Sequence, residues 1–376
     1  MHVERCEPPP LPATSRLEKS FQLFEITSNL FVVSKQVFSL ARAIMSRYAG
    51  AHAKPNGPGD ARPTALQIIQ DEGVEGKLKG EVIVITGTSS GIGIETTRAL
   101  ATTGATLFLT ARDVAKAQSA LTGIFEPSRM EIIKMDQASL SSVRAAATAI
   151  LAKTSKIHLL VNNAGIMAIP DLRLTADGRE LQFGTNHLSH FLFYNLLEPA
   201  LLAAASPDLP SRVVNLSSSA HNVHGINDPD NYDFQKGDYD PSVAYGQSKT
   251  AKIYMANEIE RRYGSHHLHA TSVHPGLVQT GLTQHMPPDA FKGMEYLYPT
   301  MKSVEQGAAT SVWAAIGKDW KHDGGKYLVN CAVAEPYAEG DYKFSAPGYS
   351  PYAYDEEKAK RLWGDSLKLV GLHSEK

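Results

Sequence analysis

Tyr245 and Lys249 stand four residues apart in "SVAYGQSK" (242–249). On a helix this spacing puts a phenol and an ammonium on one face. A free phenol has a pKa of about 10, so one that moves a proton near neutral pH needs a cation beside it. Any surface helix offers the same spacing, so the pair acquires meaning only from the rest of the chain. Further upstream, "TGTSSGIG" (86–93) follows the apolar run "EVIVIT" and precedes a helical pattern. Gly87, Ser89, Ser90, Gly91, Ile92 and Gly93 then form a turn from strand into helix. Backbone N–H groups there approach a pyrophosphate at the positive helix end. The spacing is G-x-x-x-G-x-G, and a tight turn without a ligand would also use these glycines.

Two further positions bear on a dinucleotide. The run "TLFLTA" delivers Arg112 and then Asp113 where an adenosine ribose would lie. A guanidinium suits the 2′-phosphate of NADP, whereas an acid ending that strand suits the free hydroxyl of NAD. Arg112 comes first, which favours NADP(H) over NAD(H). Asp136 and Gln137, just past "MEIIKM", are placed to meet the adenine edge. Asp136 would serve equally as N-cap of a helix beginning near Leu140.

These residues need a scaffold, and the pattern from Glu81 onward supplies one. "EVIVIT", "TLFLTA", "MEIIKM", "IHLLVN", "RVVNLS", "LHATSV" and "GKYLVN" are short, apolar and rich in β-branched residues. Helix-length segments separate most of them. Strands apolar throughout and alternating with helices predict a parallel sheet covered on both faces. Right-handed crossovers make it doubly wound, with ligands at the carboxyl ends of the strands. The expected class is therefore α/β, with an amino-terminal helical extension.

In order along the chain stand "TGTSSGIG" (86–93), "NNAG" (162–165), the serines after "VVNL", "YGQSK" (245–249) and "HPG" (274–276). Together they resemble the short-chain dehydrogenase/reductase family over about residues 78–335. The resemblance implies a seven-stranded parallel Rossmann sheet, a bound NAD(P) and a catalytic set of Asn186, Ser218, Tyr245 and Lys249. Ser217 competes with Ser218 for the serine's place. It further implies that Asn163, Ala164 and Gly165 close the nicotinamide side. Pro275, Gly276, Val278 and Thr280 are then the carboxamide and phosphate segment. Tyr245 and Lys249 also contact the cofactor in such enzymes. Tyr245 would be the general acid–base, Lys249 the cation that lowers its pKa, Ser218 the hydrogen-bond partner of the substrate oxygen, and Asn186 the holder of a relay water. An NADP(H)-dependent oxidoreductase acting on a carbonyl or secondary alcohol is the leading expectation. The same fold also serves as a catalytically silent cofactor-binding sensor or scaffold. Sugar-nucleotide epimerases share the Tyr-x-x-x-Lys pair but usually carry a different glycine spacing.

Within the family, "QFGTNHLSHFLF", "AYGQSKTAKIYMANEI" and "KSVEQGAATSVWAA" are most similar to retinol dehydrogenases and the WW-domain oxidoreductase, fungal enzymes of secondary metabolism included. Loops at the carboxyl ends of strands build substrate sites in such sheets. The segments 221–243, with Tyr232, Phe234 and Tyr239, and 281–300, with Met286, Phe291, Met294, Tyr296, Leu297 and Tyr298, are expected to wall a pocket for a lipophilic small molecule. His266, His267 and His269 lack acidic or cysteine neighbours in the sequence, so no metal is assigned.

The whole chain has 376 residues, 43% hydrophobic and 20% charged, with a formal net charge of −2. That charge gives no reason to expect a nucleic-acid partner. Cys6 and Cys331 form no disulfide or metal pattern, which fits a reducing, cytoplasmic setting. No run reaches the roughly 18 apolar residues of a membrane span. Residues 1–20 read as disordered, and 21–47 as an amphipathic helix with Leu23, Leu30, Val37 and Ile44 every seven residues. Such a face docks on the chain's own core, on a second copy, or peripherally on a lipid interface. The Gly/Pro-rich stretch 51–63 reads as a linker. Residues 1–76 are thus the expected extension and 77–376 the catalytic domain, in a family that tends to homo-oligomers.

Overall fold

The computed structural model describes residues 47–286, 292–337 and 347–372. The readings of residues 1–20 and 21–46 therefore lie outside the described residues. A compact unit begins at Arg47. Its sheet has the strands β1 (Val82–Thr86), β2 (Thr106–Ala111), β3 (Met130–Lys134), β4 (Leu159–Asn162), β5 (Ser211–Leu216), β6 (Leu268–His274), β7 (Lys326–Val329) and β8 (Ala332–Val333). Their order across the sheet is β3-β2-β1-β4-β5-β6-β7-β8. The first seven run parallel, as expected, and the order reverses between β1 and β4, the point at which such sheets take their ligands. The eighth, β8, is an addition to the expected sheet and pairs antiparallel with β7. Asn330 and Cys331 connect them, both in the left-handed region at φ 56° and 53°. Two such residues make the tight mirror-image turn whose twist matches paired strands.

Strand alternation divides the interior into two layers. Val82 and Val84 of β1 face one apolar cluster, and Ile83 and Ile85 face the other. The first layer is closed by the helices Leu140–Leu151, Ser189–Ala204, Pro241–Tyr263 and Glu356–Leu369. The second is closed by Ile92–Ala101, Ala309–Ile316 and a helix that precedes β1, Ala65–Glu72. The long helix Pro241–Tyr263 lies against β5 and β6 and is buried from Ala244 to Ile259. Its mixed polar and apolar residues all face protein, so it carries no amphipathic stripe.

The expected linker and domain boundary differ from what the fold shows. Residues 51–63 are hydrogen-bonded onto the enzyme rather than spanning freely. Arg62 is buried, pairs with Asp60 at 2.8 Å, and donates to the carbonyls of Gly57, Thr300 and Met301. Gln306 returns hydrogen bonds to Asp60 and Arg62. Thr64 caps Ala65–Glu72, whose Ile68 and Ile69 are fully buried beside Val312 and Trp313. Residues 47–76 therefore belong to the catalytic unit. Glycine and proline mark bends of a packed segment here as readily as bends of a free one.

Candidate active site

The glycine turn is built so that nothing larger fits. Gly87 (φ 73°) follows β1, and a Cβ there would stand 2.7 Å from the Ala164 backbone. Gly91 (φ 59°) is the N-cap of Ile92–Ala101, and its Cβ would press on the Thr280 side chain at 3.2 Å. At Gly93 a Cβ would meet the Gly87 carbonyl oxygen at 2.2 Å. The turn, the 163–165 segment and Thr280 thus converge at one end of the sheet. Asn163 donates its side-chain amide to the carbonyls of Thr86 and Gly87, at 2.8 and 3.1 Å. Ala164 N–H donates to the Thr86 hydroxyl at 3.0 Å.

Helix Pro241–Tyr263 starts at Asp240, whose carboxylate accepts the amides of Ser242 and Val243, with Pro241 in the first turn. It carries Tyr245 and Lys249 inward, both buried. The ammonium of Lys249 lies 5.2 Å from the Tyr245 ring centre and donates to the Leu216 carbonyl at 3.2 Å. Burial lowers its pKa to about 8. Burial also raises the Tyr245 phenol, and a hydrogen bond with Ser218 offsets part of that rise. The four-residue spacing by itself predicts a phenol depressed by Lys249. Among the protein's own groups, desolvation dominates instead, because the pair sits where water is excluded.

Of the two serines, Ser217 is buried with its hydroxyl donating to the Lys249 carbonyl at 2.8 Å. Ser218 is the one close enough to act on the Tyr245 phenol, and its oxygen accepts the Ala220 amide at 3.1 Å. Asn186 sits in a π-helical turn, Gly184–Leu188, that opens the helix Ser189–Ala204. Such turns recur at functional sites. Its carboxamide oxygen accepts the Ile166 amide at 2.9 Å, and its nitrogen donates to the Ile166 carbonyl and to Ser248. A side chain at Gly165 would stand 3.2 Å from the Asn186 oxygen and 3.5 Å from the Lys249 ammonium. The fold therefore brings Asn186, Ser218, Tyr245, Lys249 and the 163–165 segment into one place.

The remaining expected contacts are more spread. Arg112 is exposed just past β2, two residues beyond Thr110, whose carbonyl holds the amides of Gly87 and Thr88. Asp113 caps the helix Val114–Ala120. Asp136 is not the N-cap of Leu140–Leu151, since Ser139 is; its carboxylate instead accepts the Ala138 amide at 3.0 Å. Gln137 keeps a buried side-chain nitrogen without a protein partner, as does the Asn163 oxygen. Pro275 and Gly276 follow β6, and Val278 bridges to Lys302. Thr280 caps the turn Gly281–Thr283.

A dinucleotide fits these residues. The glycine turn opens the helix Ile92–Ala101, whose amino terminus suits a phosphate; the Asn163 oxygen next to that turn has no protein partner, and Gln137, just past β3, holds a second unpartnered polar atom.

The comparisons with known proteins agree with this geometry. A family model described as short chain dehydrogenase matches residues 81–290. The chain belongs to the short-chain dehydrogenase/reductase family. A short-chain dehydrogenase/reductase of Penicillium roqueforti is 46% identical over 343 residues, covering 89% of this chain and 99% of that one. Retinol dehydrogenase 12 of Mus musculus is 36% identical over 310 residues, covering 80% and 89%. Among solved structures, an uncharacterized protein from Mycobacterium paratuberculosis aligns with TM-score 0.61 at 31% identity, covering 83% of this chain and 99% of that one. As a short-chain dehydrogenase/reductase the protein is an oxidoreductase that binds a nicotinamide cofactor. No helix among the described residues is long and apolar enough to cross a membrane.

The aromatic residues expected to wall a substrate pocket in 221–243 are packed against the protein. Tyr232 is buried, stacks on Phe183 at 5.4 Å and donates to Asp365. Phe234 is buried too and meets Tyr239 edge-on. Asp233 accepts the Glu180 amide, and Tyr239 donates to the Ile169 carbonyl. Glu180 in turn accepts the amides of Gln182 and Phe183, where the Asn186 helix begins. Through Asp233 this insertion is tied to the segment that leads into the Asn186 turn. In the second segment Leu297 is buried, Tyr296 and Tyr298 are exposed, and Phe291 lies outside the described residues. Of the histidines read as metal-free, His269 pairs with the carboxylate of Glu260 at 3.0 Å.

Residues without a role in the sequence reading also converge on the site. His190 is fully buried between Thr86 and Asn186. Its distance of four from Asn186 was the available signal. Lys302 packs its side chain behind Gly276, and Arg62 holds the carbonyls just before Lys302. Nothing in the local sequence marks either.

Proposed function

We propose that the protein interconverts a carbonyl and a secondary alcohol of a lipophilic small molecule, using NADP(H), with Tyr245 as general acid–base. The observation that carries this reading is the buried Tyr245 phenol with the buried Lys249 ammonium 5.2 Å from its ring centre. The nicotinamide, when bound, supplies a hydride to a carbonyl carbon or takes one from a carbinol carbon. In the reductive direction the Tyr245 hydroxyl gives its proton to the carbonyl oxygen, and in the oxidative direction it takes one back. Ser218 holds that oxygen by a hydrogen bond. Lys249 stabilises the phenolate left behind, an effect that grows in a site closed to water. Asn186 fixes the 165–166 backbone next to Lys249, and Asn163, Ala164 and Gly165 line the nicotinamide side. Gly87, Ser89, Ser90, Gly91, Ile92 and Gly93 receive the pyrophosphate, with Pro275, Gly276, Val278 and Thr280 closing over it. Asp136 and Gln137 meet the adenine.

Arg112 supports NADP(H) over NAD(H), being a guanidinium at the ribose end of β2. A lipophilic substrate is supported by Leu172, Leu174, Val223, Tyr296 and Tyr298, large apolar side chains exposed on the loops that follow β4, β5 and β6. The amphipathic pattern at 21–47 supports self-association or a lipid interface as a second contact. The test is NADPH consumption over a panel of aromatic ketones, steroids, retinal and polyketide-like carbonyls, with Tyr245→Phe as control. Turnover should fall by about three orders of magnitude or more in Tyr245→Phe while NADPH still binds. Near-normal turnover in that variant would remove Tyr245 from the mechanism.

A further inference from the structure

His190 is buried completely, on the first turn of Ser189–Ala204, and both its ring nitrogens are engaged. Nδ1 lies 3.0 Å from the Asn186 carbonyl oxygen, four residues back. Nε2 lies 2.8 Å from the Thr86 hydroxyl, at the carboxyl end of β1. A carbonyl oxygen only accepts, so Nδ1 carries the proton. Burial keeps the ring neutral, holding its pKa well below the usual histidine value. Nε2 is then an acceptor, and the Thr86 hydroxyl donates to it. The threonine oxygen in turn accepts the Ala164 amide at 3.0 Å. The same hydroxyl lies 3.5 Å from the Val161 carbonyl, a longer and weaker contact.

Every group in this chain has its direction fixed: Ala164 N–H to Thr86, Thr86 O–H to His190, and His190 N–H to the Asn186 carbonyl. Its two ends are the segment on the nicotinamide side and the π-helical turn that holds Asn186 beside Lys249. Asn186 lies within that π-helical turn, and the His190 ring nitrogen four residues on holds its carbonyl. Only a neutral imidazole with its proton on Nδ1 joins both ends, because it donates and accepts on opposite sides of one rigid plane.

We propose that His190 is a positioning residue for hydride transfer: it locks the Asn186 turn to Thr86 and through it to Ala164, setting the nicotinamide wall relative to Tyr245 and Lys249. This rests on the oxidoreductase reading above. Displacement of about 1 Å in such a constellation costs roughly a hundredfold in rate. The loss belongs to kcat, since neither end of the chain is an affinity contact for the carbonyl.

The experiment compares His190→Leu, His190→Asn and Tyr245→Phe in the full chain, with NADPH and 4-nitrobenzaldehyde as probe carbonyl. NADPH affinity is read by fluorescence and folding by thermal melting. Asn places its amide nitrogen where Nδ1 stands and keeps the bond to the Asn186 carbonyl, whereas Leu keeps only volume. We expect kcat to fall about 10- to 100-fold in His190→Leu, with KM and NADPH affinity within about threefold of wild type. His190→Asn should recover a large part of kcat at a melting temperature similar to that of the leucine variant. Wild-type kcat in a folded His190→Leu would overturn the proposal. So would a loss that follows the melting temperature and is not recovered by Asn, which marks a packing role only. If His190→Leu does not fold, the kcat of His190→Asn decides: wild-type KM with kcat reduced several-fold supports the proposal, and unchanged kcat overturns it. Failure of the underlying reading is separate, since there Tyr245→Phe would retain turnover.

Discussion

A chain cut at the boundary that composition suggests, beginning at residue 77, should lose most of its stability. A chain beginning at Arg47 should not. The longer cut removes the helix Ala65–Glu72, with Ile68 and Ile69 fully buried against Val312 and Trp313. Each isoleucine is worth about 1.5–3 kcal/mol of burial, so the pair alone supplies about 3–6 kcal/mol. Tyr48 and Ala65 leave the same layer. Net stabilities of folded domains run at about 5–15 kcal/mol, so the loss is a large fraction of the whole. Unfolding entropy is about 2.1 cal/mol/K per residue, or about 0.6 kcal/mol/K over roughly 300 residues, and 5 kcal/mol is then about 8 °C in Tm. The effect should also reach the cofactor. Arg62 holds the carbonyls of Thr300 and Met301, and the next residue, Lys302, pairs with Leu277 and Val278 of the carboxamide segment. Thermal melting and NADPH titration of the full chain, 47–376 and 77–376 check this. Equal Tm and equal NADPH affinity in the 77–376 protein would refute the reasoning and restore residues 47–76 as an appendage.

Ser218→Ala should lower kcat by about 10²-fold or more, while Ser217→Ala, whose hydroxyl only tethers the Lys249 carbonyl, should mainly lower Tm by about a degree or two. Steady-state rates and melting curves separate them, and the reverse ranking would exchange their roles. Arg112→Ala should weaken NADPH far more than NADH, because only NADPH carries the 2′-phosphate that a guanidinium pairs with; equal loss in both titrations would make Arg112 structural. Lys252→Met should stabilise the fold by about 1–3 kcal/mol, since Lys252 is fully buried with an amine that has no hydrogen-bond partner. Burial, aided by the nearby Lys249 charge, pushes the Lys252 pKa well down. The unfolded chain then binds the extra proton at neutral pH, so wild-type stability rises with pH up to about 10.4 and the advantage of Met shrinks there. Denaturant melts at neutral and alkaline pH test this, and a pH-independent gap would show that the amine keeps its proton in the fold.

The sequence by itself determined whatever depends on near neighbours along the chain. The glycine turn at 86–93, the strand and helix alternation and the one-turn spacing of Tyr245 and Lys249 are local, and each met its counterpart in the fold. Proximity between distant segments came only with tertiary structure. Ser217 and Ser218 are adjacent and chemically identical; what separates them is that the buried helix Pro241–Tyr263 engages Ser217 through the Lys249 backbone and leaves Ser218 to act on the Tyr245 phenol. Tyr232 and Phe234 carry the same apolar surface whether they line a pocket or fill a core, and the salt-bridged Asp233 anchor to Arg179 turned them inward. Glycines and prolines at 51–63 bend a chain in either case, and carbonyls more than two hundred residues away, waiting for Arg62, decided that this stretch is docked. His190 is one more polar residue on a helix until β1 and the π-helical turn close around it. A side chain's type limits what it is able to bond, and the fold decides which partner arrives within reach.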